Sequence, residues 1–257
     1  MPRTTLLRRS LAAVAALAVL GGACSSDRPS TELTISVAAS LVSSIEILAN
    51  DFEASNPGVT VRINPGGSGR LATQIIEGAP ADAAVLADPP AMDSLADANL
   101  LDGTPTPIAT NTLTMIVAPG NPLRIDDLDD LAALPEGNRI SLCALSAACG
   151  RVAELLLGDA GVVVDERRVS RGPDVTTTAA AVRRGDAAVA LVFRTDARAA
   201  GDEVTEVPIV GVESRTVEAL AAALRNSPNL DLARRFVGLV ASPTGQEVLT
   251  DAGFGPT

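Results

Sequence analysis

Apolar and polar residues alternate over Leu33-Thr-Ile-Ser-Val37, and the β-branched content of that run predicts a strand. The period then changes. Ile45, Leu48, Ala49 and Phe52 fall at helical spacing, and Ser40 stands where a helix N-cap belongs. Asn56-Pro-Gly58 ends that helix, and Val59-Thr-Val-Arg-Ile63 alternates again as a second strand. A polar turn, Asn64-Pro-Gly-Gly-Ser68-Gly69, leads into a helix carrying Leu71, Ala72, Ile75 and Ile76, which Gly78-Ala-Pro80 closes. Ala83-Ala-Val-Leu-Ala87 is apolar throughout, as in a strand covered on both faces of a parallel sheet. Strand, helix, strand, helix, strand is an α/β pattern.

The second half repeats this alternation. Leu113-Thr-Met-Ile-Val117 reads as a strand, residues 125–134 as a short acidic helix, and Arg139-Ile-Ser-Leu142 as another strand. A helix follows Gly150 through Ala153, Leu155, Leu156 and Leu157. Asp174 caps the next one, which carries Val175, Ala179 and Val182 and ends at Gly185; Ala187-Ala-Val-Ala-Leu-Val-Phe193 is a buried strand. Helices are predicted over 216–224 and 230–240. The chain is expected to form two α/β lobes, 32–112 with 206–257 and 113–205, each a mostly parallel sheet flanked by helices. It crosses between them near residue 113 and returns over 204–212, leaving a cleft between the lobes.

Composition narrows what that cleft can do. A formal charge of −11 argues against nucleic acid, whose binding rests on clustered cations. The chain has no His, Trp or Tyr and only four Phe. Absence of His removes the commonest general base and zinc ligand, so a His-dependent hydrolase or zinc receptor is excluded. Scarcity of aromatic rings argues against a sugar-stacking site. No catalytic residue and no cofactor is expected.

The N-terminus has the grammar of export. Three arginines within the first nine residues precede an apolar run over 11–20 and the small residues Gly21-Gly-Ala-Cys24. That run is too short for a permanent membrane span, which needs roughly 20 residues. Cys24 resembles the acylated cysteine of a lipobox, although Gly21 occupies the position usually held by Leu; an ordinary leader cut near Ala23 is the alternative. Residues 1–24 are thus read as a lipoprotein signal peptide and 25–31 as a flexible tether, with the membrane touched through the lipid alone. In the oxidising setting that export implies, Cys143 and Cys149 are expected to pair and pin the loop between them.

Ligands of open α/β sheets sit at the carboxyl ends of strands, beside helix N-termini. By position, Ser40, Gly67-Ser68-Gly69, Cys149-Gly150 and Asp174-Val175 share one cleft. The glycine-rich turn offers unhindered amides, a hydroxyl and the positive end of a helix dipole, which together suit an anion. Turns of this kind also serve merely to redirect the chain, and Ser40 is equally a plain helix cap. No Gly-Lys-Ser/Thr ending marks a nucleotide loop. Asp82, Asp88 and Asp196 lie near strand ends and read as caps or lobe-to-lobe bonds.

Val37-Ala-Ala-Ser-Leu41, Gly67-Ser-Gly-Arg-Leu-Ala72, Glu77-Gly-Ala-Pro-Ala-Asp82 and Leu86-Ala-Asp88 resemble the periplasmic molybdate-binding proteins of ABC importers. Ala109-Thr-Asn-Thr112, Cys149-Gly150, Asp174-Val175, Val192-Phe-Arg-Thr-Asp-Ala197 and Ala252-Gly-Phe254 continue the match in order. The resemblance implies a two-lobed type II periplasmic-binding fold that closes around an oxyanion, molybdate or tungstate. In that family two serines and backbone amides hold the anion without Lys or Arg. The serines correspond to Ser40 and Ser68, and the amides to Cys149 and Val175, with Gly69, Asp174 and Phe193 as further lining. Phe193 replaces a tyrosine whose hydroxyl often supplies a fifth donor. The implied partners are an ABC permease and its ATPase, and the protein is expected to be a monomer. A sulfate-type ligand and a lipid-anchored sensor with the same fold are the alternatives.

Overall fold

The computed structural model describes residues 31–257. The leader, Cys24 and the tether up to residue 30 lie outside the described residues.

The first sheet is built by β1 (Thr31–Ala38), β2 (Val59–Gly66), β3 (Ala83–Leu86) and β4 (Thr106–Asn111), with α1 (Val42–Ser55), α2 (Ser68–Ile76) and α3 (Pro89–Asp97) between them. The chain then enters a second sheet: β5 (Leu113–Val117), α4 (Asp130–Ala133), β6 (Ile140–Cys143), α5 (Ala148–Asp159), β7 (Val169–Gly172), α6 (Val175–Arg183), β8 (Val189–Phe193), α7 (Arg194–Ala200) and β9 (Thr205–Val207). It returns as β10 (Val217–Ala223) and finishes with α8 (Leu230–Ala241) and α9 (Pro243–Asp251). The strand orders are β2-β1-β3-β10-β4 and β7-β6-β8-β5-β9.

Both sheets are mixed, where mostly parallel ones were expected. In the first, β1 is parallel to β2 and β3, but β10 runs against β3 and β4. In the second, β6 is parallel to β7 and β8, but β5 runs against β8 and β9. The cause is the double crossing. Parallel strands point their carboxyl ends at the opposite lobe. A strand arriving from that lobe starts at the same end and must run the other way.

That geometry also overturns the helix predicted over 216–224. Its core, Val217-Glu-Ala-Leu-Ala-Ala-Ala223, is the returning strand β10, inserted between β3 and β4 with every side chain except Glu218 buried. Alanine favours helix locally, but ladder bonds to two neighbours and burial on both faces outweigh that preference. The acidic helix expected over 125–134 shrinks to α4, because Asp127 and Asp130 carboxylates accept hydrogen bonds from the amides of 126, 127, 129 and 130. The return crossing lies later than the expected border at 206: β9 pairs with β5, and Val212 still packs into the second core.

Separate apolar cores support the lobes. One surrounds Ile45, Leu48, Phe52 and Phe236, the two rings meeting edge to face at 5.3 Å. A second, on the opposite face of the first sheet, gathers Leu71, Leu86, Met92 and Leu95, and a third, in the second lobe, holds Met115, Ile116, Leu142, Leu156 and Leu191. Only Thr112 separates β4 from β5, so this crossing is short and direct.

Candidate functional site

Four segments converge between the lobes: the 3-10 turn Ala39–Leu41 after β1, the start of α2 after β2, the start of α5 after β6, and the start of α6 after β7. They line a small, partly open cavity whose walls include Ser40, Ser68, Cys149, Asp174, Val175 and Phe193. No cationic side chain lines it.

Ser40 does not cap α1 as predicted. Leu41 is the N-cap, without a side-chain bond, and Ser40 lies one residue earlier in the 3-10 turn. Ser68 opens α2 and is buried. Its Oγ accepts a hydrogen bond from the Ala87 N–H at 3.1 Å, which leaves the hydroxyl proton to be donated elsewhere.

Cys149 occupies the first turn of α5, where helix geometry leaves amides without partners. Gly150 and Arg151 donate to the Ala147 carbonyl, whereas the Ala148 and Cys149 amides have no acceptor among the described residues. Cys143 and Cys149 form a disulfide with a Cα separation of 5.7 Å, which ties the end of β6 to the start of α5. Val175 is the first residue of α6. Asp174 caps this helix, its carboxylate accepting from the Thr177 amide at 2.8 Å, so the Val175 amide is spared.

Gly69 is not part of the cavity wall. A Cβ there would collide with the Ser146 carbonyl, and one on Gly67 would lie 2.7 Å from the Pro173 carbonyl. Both carbonyls belong to the opposite lobe, so these glycines let the lobes meet. Phe193 ends β8 with a buried ring that walls the cavity without offering a donor.

Charged groups stand behind this shell. Asp88 caps α3 by accepting from the Ala91 amide at 3.1 Å and also pairs with Arg151 of α5 across the cleft. Burial pushes its carboxyl up, while Arg151 opposes the shift. Asp196, in α7, has its pKa pushed up to about 7, chiefly by burial, and its Oδ2 has no hydrogen-bond partner. Asp82 stays within one lobe, accepting from the Thr34 amide at 2.6 Å and from Ser227. Two contributors escaped sequence reasoning: Ala87, which orients Ser68, and Arg151. The only trace of the first was its place at the end of a buried strand.

Three helix N-termini thus border one space, two of them with unpaired first-turn amides at Cys149 and Val175, together with two serines and no cation. An arrangement of this kind can neutralise an anion by hydrogen bonds and dipoles. No group of His, Cys, Asp and Glu among the described residues could hold a metal ion. The sequence model of bacterial extracellular solute-binding proteins matches residues 33–255. The chain belongs to this family.

Relatives of this solute-binding protein include a molybdate-binding protein of Mycobacterium tuberculosis, 34% identical over 252 residues, covering 94% of this chain and 95% of that one. Among solved structures, the Azotobacter vinelandii periplasmic molybdate-binding protein superposes with a TM-score of 0.76 at 18% identity, covering 88% of this chain and 99% of that one. The Mycobacterium tuberculosis sulfate-binding protein gives 0.75 at 21% identity, covering 88% and 87%. These two similarities establish the two-lobed periplasmic-binding fold of this solute-binding protein. Its family binds solutes outside the cytoplasm and is not a family of enzymes.

Proposed function

We propose that this protein captures molybdate, with tungstate as a close substitute, and delivers it to an ABC permease and its ATPase. The observation that carries the reading is a cation-free cavity walled by the Ser40 and Ser68 hydroxyls and the first-turn residues Cys149 and Val175. The 34% identity to a molybdate-binding protein over nearly the whole chain supports the choice of ligand. A dianion spreads its charge over four equivalent oxygens, so several neutral donors suit it better than one ion pair. Each helix end adds the equivalent of roughly half a positive charge. In a closed, poorly solvated cleft these interactions strengthen, and an overall charge of −11 is no obstacle.

Sulfate is the second reading. The hydroxyl-free ring of Phe193 favours it, because a larger anion gains most from an extra donor at that wall. Calorimetric and thermal-shift titrations with molybdate, tungstate, sulfate and phosphate decide between the two. Molybdate at 100 times its dissociation constant should stabilise the fold by about 2.7 kcal/mol. A response to sulfate alone would overturn the assignment. Phe193→Tyr should tighten molybdate by up to about tenfold, the worth of one added hydrogen bond.

Cys24 is proposed as the lipid attachment point, and a single copy with no cofactor as the functional unit. Mass spectrometry of the mature N-terminal peptide from membranes tests the anchor; an unmodified N-terminus would remove it.

A further inference from the structure

Asp88 and Arg151 occupy matching places on opposite walls of the cleft. Asp88 directly follows Ala87, whose amide holds the Ser68 hydroxyl. Arg151 follows Cys149 by two residues on α5. Their ion pair spans the lobes, with the Asp88 side chain 5% exposed and that of Arg151 33% exposed. A second arm of the guanidinium donates to the Leu145 carbonyl at 3.0 Å, inside the loop closed by Cys143 and Cys149. Arg151 therefore links Asp88 to the very loop that presents the Cys149 amide. Beside it, the Gly69 backbone packs against Ser146 of the same loop.

We propose that Asp88 and Arg151 are positioning residues for anion capture, their ion pair holding the Cys149 amide opposite Ser68 and setting how long the closed complex lasts. The proposal rests on the anion-binding reading of the cleft. Neither residue lines the cavity except through its neighbours, so neither adds to the anion's own donor set. An open cleft separates the pair and hydrates each charge. Closure joins them in a partly desolvated seam, so breaking one partner leaves the other buried and uncompensated. An interaction confined to the closed state acts on dissociation more than on encounter.

Release of radiolabelled molybdate from the full protein tests this, using Arg151→Gln, Arg151→Lys, Asp88→Asn and the double variant Asp88→Asn/Arg151→Gln. Asparagine can still cap α3 through its carbonyl oxygen. Release should quicken about tenfold or more in each of R151Q and D88N, with association changed by less than about threefold. R151K, which keeps the charge but loses the fork to Leu145, should fall between wild type and R151Q. The double variant should be no faster than the worse single one, because both remove one interaction. Unchanged release in both R151Q and D88N, or additive effects, would overturn the proposal. If the wild type gives no heat with molybdate, the ligand assignment fails by itself. The pair is then judged by small-angle scattering, where R151Q should have the larger radius of gyration and equal radii would overturn the latch.

Discussion

Ser68 Oγ lies 3.1 Å from the Ala87 amide nitrogen and accepts a hydrogen bond from it. The serine's acceptor side is thereby occupied, and its own proton is the group left for an anion. Ser68→Ala should remove that donor and leave the buried Ala87 amide unpaired. Affinity for molybdate should fall by about 1–3 kcal/mol, with a stability loss of about 1 kcal/mol alongside. Ser40 holds no helix cap, so Ser40→Ala should weaken binding with little change in melting temperature. Calorimetry on both variants separates the two roles, and undiminished binding in both would place the site elsewhere.

Gly69 faces a backbone carbonyl of the other lobe, not a side chain that could move aside. Gly69→Ala should therefore leave each lobe folded while preventing full closure. The expected result is a near-normal circular dichroism spectrum with a loss of molybdate affinity of at least about tenfold. Normal affinity would mean that the seam between Gly69 and Ser146 plays no part in binding.

The Cys143–Cys149 bridge closes a small loop, with a sequence separation of 6. A loop of that size stabilises by about 2 kcal/mol in the chain-entropy account. Reduction should lower the melting temperature by roughly 4–8 °C for a chain of this length. Because the bridge also anchors the Cys149 amide, molybdate affinity should fall with it. Titrations with and without reductant check both effects, and Cys143→Ser should reproduce them.

Asp196 gives the protein a pH-dependent weakness. Its folded pKa is raised to about 7 from 3.8, so between those values the folded chain keeps a proton that the unfolded chain has released. Stability from this group is therefore greatest below about pH 4, declines as pH rises to about 7, and levels off above it. Burial is the main cause and the Asp174 charge adds to it. Asp196→Asn should remove this contribution to the slope and stabilise the protein at pH 8 by on the order of a few kcal/mol. Melting temperatures over pH 5–8 check this; parallel curves for variant and wild type would refute it.

Much of the placement of the candidate site's residues is legible in the sequence. Ser68, Cys149 and Val175 follow strands and open helices, and such positions are marked by strand-to-helix changes of period and by the glycine turn. Asp174 is recognisable as a cap from its residue type, and it does cap α6. Asp88 is expected to cap a helix or bond across the lobes, and it does both. Ser40 misleads in one respect: serine before a helical pattern suggests a cap, but the intervening 3-10 turn moves the cap to Leu41.

Local patterning alone dictates the α/β character, the lack of His chemistry, and the helix starts from which the candidate cavity is assembled. Each depends on residues near in sequence. The remaining features arise from tertiary contacts. Val217–Ala223 became a strand because a chain returning from the second lobe enters the first sheet at its cleft end and can pair there with both β3 and β4. Asp88 met Arg151, and Gly69 met Ser146, because two lobes folded on separate cores are brought face to face. No periodicity along the chain encodes such meetings, since the partners are far apart in sequence and come together only when both lobes exist.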